Sequence, residues 1–216
     1  MSEMPNQHVM IDRRTFLRLG LFGAVAGWLA RPATAASAHS MTPRSVIDVL
    51  NTQIGVIRRS AWAKASIHVA RLHAAEPYTR ITLHHTGTQA LRTTAPHLVA
   101  QEISNVQGAH LSQHYGDIAY HLIVDYAGRV WEGRSLAYEG AHTLNANEGN
   151  IGVMLLGNFE KQDPSTAQLA TQANLVALLR RQYRIRASRV YGHRDLSPTV
   201  CPGSRLYPYV TQLRHS

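Results

Sequence analysis

The only cysteine of the chain, Cys201, follows His193 by eight residues in the stretch Tyr191-Gly192-His193-Arg194-Asp195-Leu196-Ser197-Pro198-Thr199-Val200-Cys201-Pro202-Gly203. A further histidine, His84, lies near the end of Arg80-Ile81-Thr82-Leu83-His84-His85, where polar and apolar residues alternate as in a strand. Two neutral imidazoles and a thiolate form a borderline-soft donor set suited to Zn²⁺, and three protein ligands leave a fourth tetrahedral position open, as in catalytic rather than structural zinc sites. The plainer reading is a loop punctuated by glycine and proline, with an incidental histidine and a buried thiol. Thirteen histidines offer many accidental pairs, so residue types alone leave both readings standing.

These residues need elements to hold them. Thr42 to Gly55 reads as a helix, with Thr42 as N-cap, Pro43 in the first turn and Val46, Ile47, Val49 and Leu50 as its apolar face. Thr94 to Gly108 reads as a second, with Leu98, Val99, Ile103 and Val106 packed and Gly108 as its stop. Tyr120 to Asp125, a turn at Tyr126-Ala127-Gly128, and Arg129 to Glu132 predict a β-hairpin. Asn145 to Asn150 predicts a loop feeding a buried strand, Ile151 to Gly157. The longest helix is predicted over Ser165 to Tyr183, with Leu169, Ala173, Val176, Leu179 and Tyr183 facing the core. A short strand at Arg189-Val190-Tyr191 and a helix through Leu206, Val210 and Leu213 complete the chain. Strands and helices interleave without repeats, which predicts a single α/β (mixed α+β) domain with a central mixed β-sheet flanked by helices.

The chain has 216 residues, 22 Lys and Arg against 13 Asp and Glu, and a net charge of +9; all the cations but Lys64 and Lys161 are arginine. This balance favours anionic partners, but no basic run is interleaved with aromatics, and nucleic acid is not expected. Asp12-Arg13-Arg14-Thr15-Phe16-Leu17-Arg18, an apolar run from Leu19 to Ala30, and the small residues Ala33-Thr34-Ala35 and Ala36-Ser37-Ala38 match a twin-arginine export signal. The run is shorter than the roughly 18 to 20 residues needed to span a bilayer, so no stable membrane insertion is expected after cleavage at Ala35 or Ala38. Removing residues 1–35 takes away four cations and two anions, so 22 and 13 become 18 and 11, and the remaining chain keeps +7. The expected destination is the periplasm or cell envelope of a bacterium, where a lone thiol is expected to be buried or ligated.

The motifs Leu83-His84-His85-Thr86, Ala119-Tyr120-His121-Leu122, Gly140-Ala141-His142, Asn150-Ile151-Gly152-Val153, Gly157-Asn158-Phe159, Gly192-His193-Arg194-Asp195 and Thr199-Val200-Cys201-Pro202-Gly203 occur in that order. Together they resemble the zinc N-acetylmuramoyl-L-alanine amidases, the family that includes amidase-type phage lysozymes and peptidoglycan recognition proteins. The likeness runs from about Trp62 to Leu213. It implies a peptidoglycan recognition protein-like fold, with residues 36–61 as an N-terminal helical extension and 62–216 as the amidase domain. It implies one zinc ion on His84, His193 and Cys201, with Tyr120 and Thr199 as catalytic hydroxyls beside the reacting carbonyl. The implied reaction is hydrolysis, by a zinc-activated water, of the amide joining N-acetylmuramic acid to L-alanine in peptidoglycan or muropeptides. The alternative is a non-catalytic peptidoglycan-binding module, which the resemblance implies would lack the cysteine ligand.

A related branch uses aspartate as third ligand and a glutamate where this chain has Met154, so the resemblance is to the branch with cysteine, tyrosine and threonine. Some relatives carry lysine at the place of Thr199. His142, in a glycine-rich loop, and Arg194 are the candidate substrate-binding residues, with Arg194 alternatively pairing with Asp195. By strand parity His85 and His121 point away from His84 and Tyr120, toward supporting or core roles. His68, His73, His97, His110, His114 and His215 read as surface residues, and Trp62 and Trp131 as core or cleft wall.

Overall fold

The computed structural model describes residues 43–215; the expected export signal, its expected cleavage sites and the expected Thr42 cap lie outside the described residues. Three parallel strands form one side of the sheet. β2 (Arg80–His85) is flanked by β5 (Asn150–Leu155) and β6 (Val190–Gly192), and all three run parallel. β5 is buried along its whole length, which requires the near-continuous apolar run Ile-Gly-Val-Met-Leu of a strand covered on both faces. On its other side β5 pairs in parallel with β3 (Leu122–Val124), which forms an antiparallel hairpin with β4 (Val130–Glu132). A two-residue edge strand, β1 (Val56–Ile57), completes the order β1-β4-β3-β5-β2-β6.

Alternation along β2 divides the molecule into two apolar cores. Ile81 and Leu83 enter the larger one, built from Val46, Ile47 and Leu50 of α1 (Pro43–Ile54), Leu175, Val176 and Leu179 of α3 (Thr166–Tyr183), and Leu206 and Val210 at α4 (Tyr207–Gln212). The opposite core joins Ile123, Trp131 and Met154 to Val99 and Ile103 of α2 (Pro96–Ser112) and to Trp62. Both tryptophans are buried with their indole N–H satisfied: Trp62 donates to the Glu132 carbonyl and Trp131 to the Asp125 carboxylate. Residues 43–57, within the expected extension, thus supply a helix to the larger core and an edge strand to the sheet.

Two helix readings need correction. Gly108 does not end α2, which continues to Ser112; the turn follows only where His114 and Gly116 take positive φ. Val99, Ile103 and Gln107 of α2 are buried and Val106 packs beside them as expected, while Leu98 is half exposed. On α3 the buried set includes Gln168 and Gln172, with Gln168 donating to the Leu156 carbonyl, and Ala173 is only partly buried. A capping box formed by Ser165 and Gln168 starts this helix. Among the described residues no helix is long and apolar enough to cross a membrane.

Candidate metal centre

The carboxyl ends of β2 and β6 meet at one edge of the sheet, where parallel α/β sheets habitually place their sites. Leu83 pairs with Gly192, so His84 and His193 are brought together as the strands end. Their rings lie 4.6 Å apart. The turn after β6 is pinned by Asp195, whose carboxylate accepts from the Gly192 N–H at 2.7 Å and from the Tyr207 hydroxyl, and pairs with Arg214. The loop returns as the Arg194 N–H donates to the Cys201 carbonyl at 2.8 Å. Just beyond, Gly203 has φ 97°, and a Cβ there would stand 2.6 Å from the Phe159 backbone, so the return demands glycine.

One donor atom from each of His84, His193 and Cys201 lies within 4.8 Å of the others. His84 Nδ1 is 3.6 Å from Cys201 Sγ. With Zn–N near 2.0–2.1 Å and Zn–S near 2.3 Å, a tetrahedral site has an N···S edge of about 3.6 Å, so this pair fits zinc. The charges fit as well. Burial, reinforced by the neighbouring histidines His142, His193 and His85, holds His84 well below the usual histidine range, and burial lowers His193 too, leaving both imidazoles neutral donors. Burial pushes the Cys201 thiol up to about 12, against the opposing pull of the His85 N–H and Arg194. The His85 N–H donates to Sγ at 3.4 Å, but a thiolate there needs a cation, which a divalent metal supplies.

Around these donors the expected residues separate. Tyr120 joins the site: its ring centroid is 5.1 Å from that of His84, and it stacks on His142 at 6.2 Å. Burial and the nearby Cys201 raise its pKa above the usual phenol range, keeping the hydroxyl a donor, and among the described residues none hydrogen-bonds that hydroxyl. Thr199 lies two residues before Cys201, and its oxygen accepts the Cys201 N–H at 3.2 Å. Met154, fully buried, pairs with His84 in the β2–β5 register, so the strand offers no carboxylate there.

His142 is buried beside the donors. It is 6% exposed, and its Nδ1 lies 3.0 Å from His84 Nε2. Arg194 does not pair with Asp195. Its guanidinium meets Glu160 at 3.4 Å, donates to the Val200 carbonyl and lies over the Tyr207 ring, so it holds the metal loop shut. His85 supports the site through its backbone, while its Nδ1 accepts the Phe159 N–H on the other face. His121 accepts the Gly152 N–H at Nδ1, which leaves Nε2–H to donate to the Tyr138 carbonyl. His110 corrects the surface reading: its Nδ1 accepts the Ala119 N–H, and its ring stacks on Tyr115 and meets the edge of Tyr120. Nothing local in the sequence marks His110, because the contact depends on how the loop after α2 returns.

The sequence family described as N-acetylmuramoyl-L-alanine amidase matches residues 74–204, more than half of the chain and every donor of the centre. The chain belongs to this amidase family. Among its relatives, a peptidoglycan recognition protein of Trichoplusia ni is 32% identical over 173 residues, covering 79% of this chain and 93% of that one. Peptidoglycan-recognition protein SD of Drosophila simulans is 30% identical over 162 residues, 74% of this chain and 86% of the relative. A solved structure of peptidoglycan recognition protein-LE in complex with tracheal cytotoxin, a monomeric diaminopimelic acid-type peptidoglycan, has a TM-score of 0.65 at 28% identity, covering 73% of this chain and 92% of that one. The amidase LysC of Clostridium intestinale shares the fold at TM-score 0.61 and 20% identity, over 74% of this chain and 95% of that one. The mixed sheet with flanking helices is therefore the fold of the amidase family.

Proposed function

We propose that this family member is a zinc-dependent amidase that cuts the bond between the lactyl group of N-acetylmuramic acid and L-alanine in peptidoglycan or muropeptides. The observation that carries this reading is the convergence of His84, His193 and Cys201 within 4.8 Å, beside the Tyr120 phenol, whose hydroxyl has no hydrogen-bond partner among the described residues. His84 and His193 would hold one zinc ion as neutral donors, and Cys201 as thiolate. When bound, zinc supplies a Lewis acid that polarises an amide carbonyl and makes water nucleophilic near neutral pH. Tyr120 remains protonated and donates to the carbonyl oxygen as negative charge develops there. Thr199, whose oxygen already accepts the Cys201 N–H, keeps its own O–H to donate as well. Losing one such donor typically costs about 10²-fold in rate. The twin-arginine pattern of residues 12–18 supports export by the Tat pathway to the periplasm or envelope, and the excess of arginine suits an anionic wall.

The relatives named as recognition proteins favour one rival reading, a module that binds peptidoglycan without cutting it. Digestion of purified sacculi distinguishes the two. The amidase releases free stem peptides beginning at L-alanine, seen by mass spectrometry, and chelation stops the release. A binding module sediments with the sacculi and releases nothing; release of disaccharide fragments alone identifies a glycosidase.

A further inference from the structure

His142 sits in a slot built around its ring. A Cβ on Gly140 would approach its Cδ2 to 2.4 Å, and one on Gly152 of β5 would do the same. Tyr120 stacks against it with planes 22° apart. Asn147 Oδ1 accepts both the His142 and the Thr143 backbone N–H, fixing the loop that carries the ring. The imidazole therefore packs where Gly140 and Gly152 carry no side chain, against the face of Tyr120.

Its partners then settle where the hydrogens lie. Nε2 is 3.2 Å from the Asn150 carbonyl, which only accepts, so Nε2 carries the hydrogen. In the neutral ring Nδ1 is left with a lone pair. Two groups face that lone pair, the Thr143 hydroxyl and His84 Nε2, each at 3.0 Å, and a nitrogen lone pair of His84 set against it would be repelled. His84 must therefore carry its hydrogen on Nε2 and present a bare Nδ1, the nitrogen that stands 3.6 Å from Cys201 Sγ.

We propose that His142 is a positioning residue that fixes the tautomer and ring orientation of His84, so that Nδ1 is presented to the metal. This inference rests on the metal reading above but concerns a residue outside the donor set. Histidine ligands commonly have their second nitrogen held by a carboxylate, carbonyl or water, and losing that partner typically weakens metal binding about 10- to 100-fold. Here another histidine takes that place and passes the constraint on to the Asn150 carbonyl.

Two measurements test it. In metal-free wild-type protein, long-range ¹H–¹⁵N NMR should find the His84 hydrogen on Nε2; a hydrogen on Nδ1 overturns the proposal. His142→Leu keeps apolar bulk without an acceptor, while His142→Asn places a side-chain oxygen near Nδ1. In competition with a chromophoric chelator, folded H142L should bind zinc about 10- to 100-fold more weakly than wild type, with H142N recovering most of the loss. Zinc affinity in H142L within twofold of wild type contradicts the proposal, and if H142L does not fold the NMR result decides. Failure of the wild type to bind zinc would instead refute the metal assignment.

Discussion

Cys201 and Tyr120 divide the work of the site, and two substitutions separate their roles. Cys201→Ser should leave the apolar cores intact but abolish stoichiometric zinc, checked by metal analysis of the purified protein. Activity should fall by about 10²-fold or more, since metal catalysis contributes several kcal/mol. Tyr120→Phe retains the ring beside His84 and removes only the hydroxyl, so zinc content should match wild type while kcat falls about 10²-fold. Loss of zinc in Y120F would show that the ring supports the metal rather than the reaction. The donor types were legible in the sequence because chemistry restricts them to a few residues. The surroundings of His142 and Arg194 were not legible, because near neighbours combine there with segments far away in the chain. Glycines at 140 and 152 close over the imidazole, and Glu160 and Tyr207 occupy the guanidinium.

At the scale of elements, the site depends on parallel strands ending together. The run Arg80 to His85 and the buried strand beginning at Ile151 were readable because alternation and continuous apolar character are local properties. The end of α2 was not. Gly108, exposed and with open space beside it, continues the helix, since a single glycine costs only about 1 kcal/mol relative to alanine. α3 matters because it carries the chain from the end of β5 back to the start of β6, and hence to His193. Its first turn is secured by the reciprocal Ser165 and Gln168 bonds. Ser165→Ala should lower unfolding free energy by about 1 kcal/mol in denaturant titration, with little change in zinc affinity, since the metal loop lies beyond the other end of the helix.

For the whole molecule, buried neutral histidines make folding sensitive to acid. Burial lowers His121 to about 4, with the Tyr138 carbonyl opposing and Arg134 adding to the shift, and burial lowers His110 to about 4 as well. An unfolded histidine takes up its proton near pH 6.5, so stability is level above that value and declines as pH falls toward 4. Fully buried His121 alone accounts for a loss of about 3 kcal/mol over this range. Denaturant titrations at pH 7 and pH 4.5 should show the decline, and His121→Gln should flatten it while lowering stability at pH 7.

The proposed reaction is cleavage of an amide at the centre formed by His84, His193 and Cys201, rather than binding of peptidoglycan alone. Its most direct test is a defined soluble muropeptide incubated with zinc-loaded wild-type protein and followed by mass spectrometry. Two products are expected, a muramic acid sugar with a free lactyl carboxylate and a peptide with a free L-alanine amine, formed by wild type and not by C201S. An intact muropeptide, bound but uncut by protein carrying one zinc per chain, would contradict it.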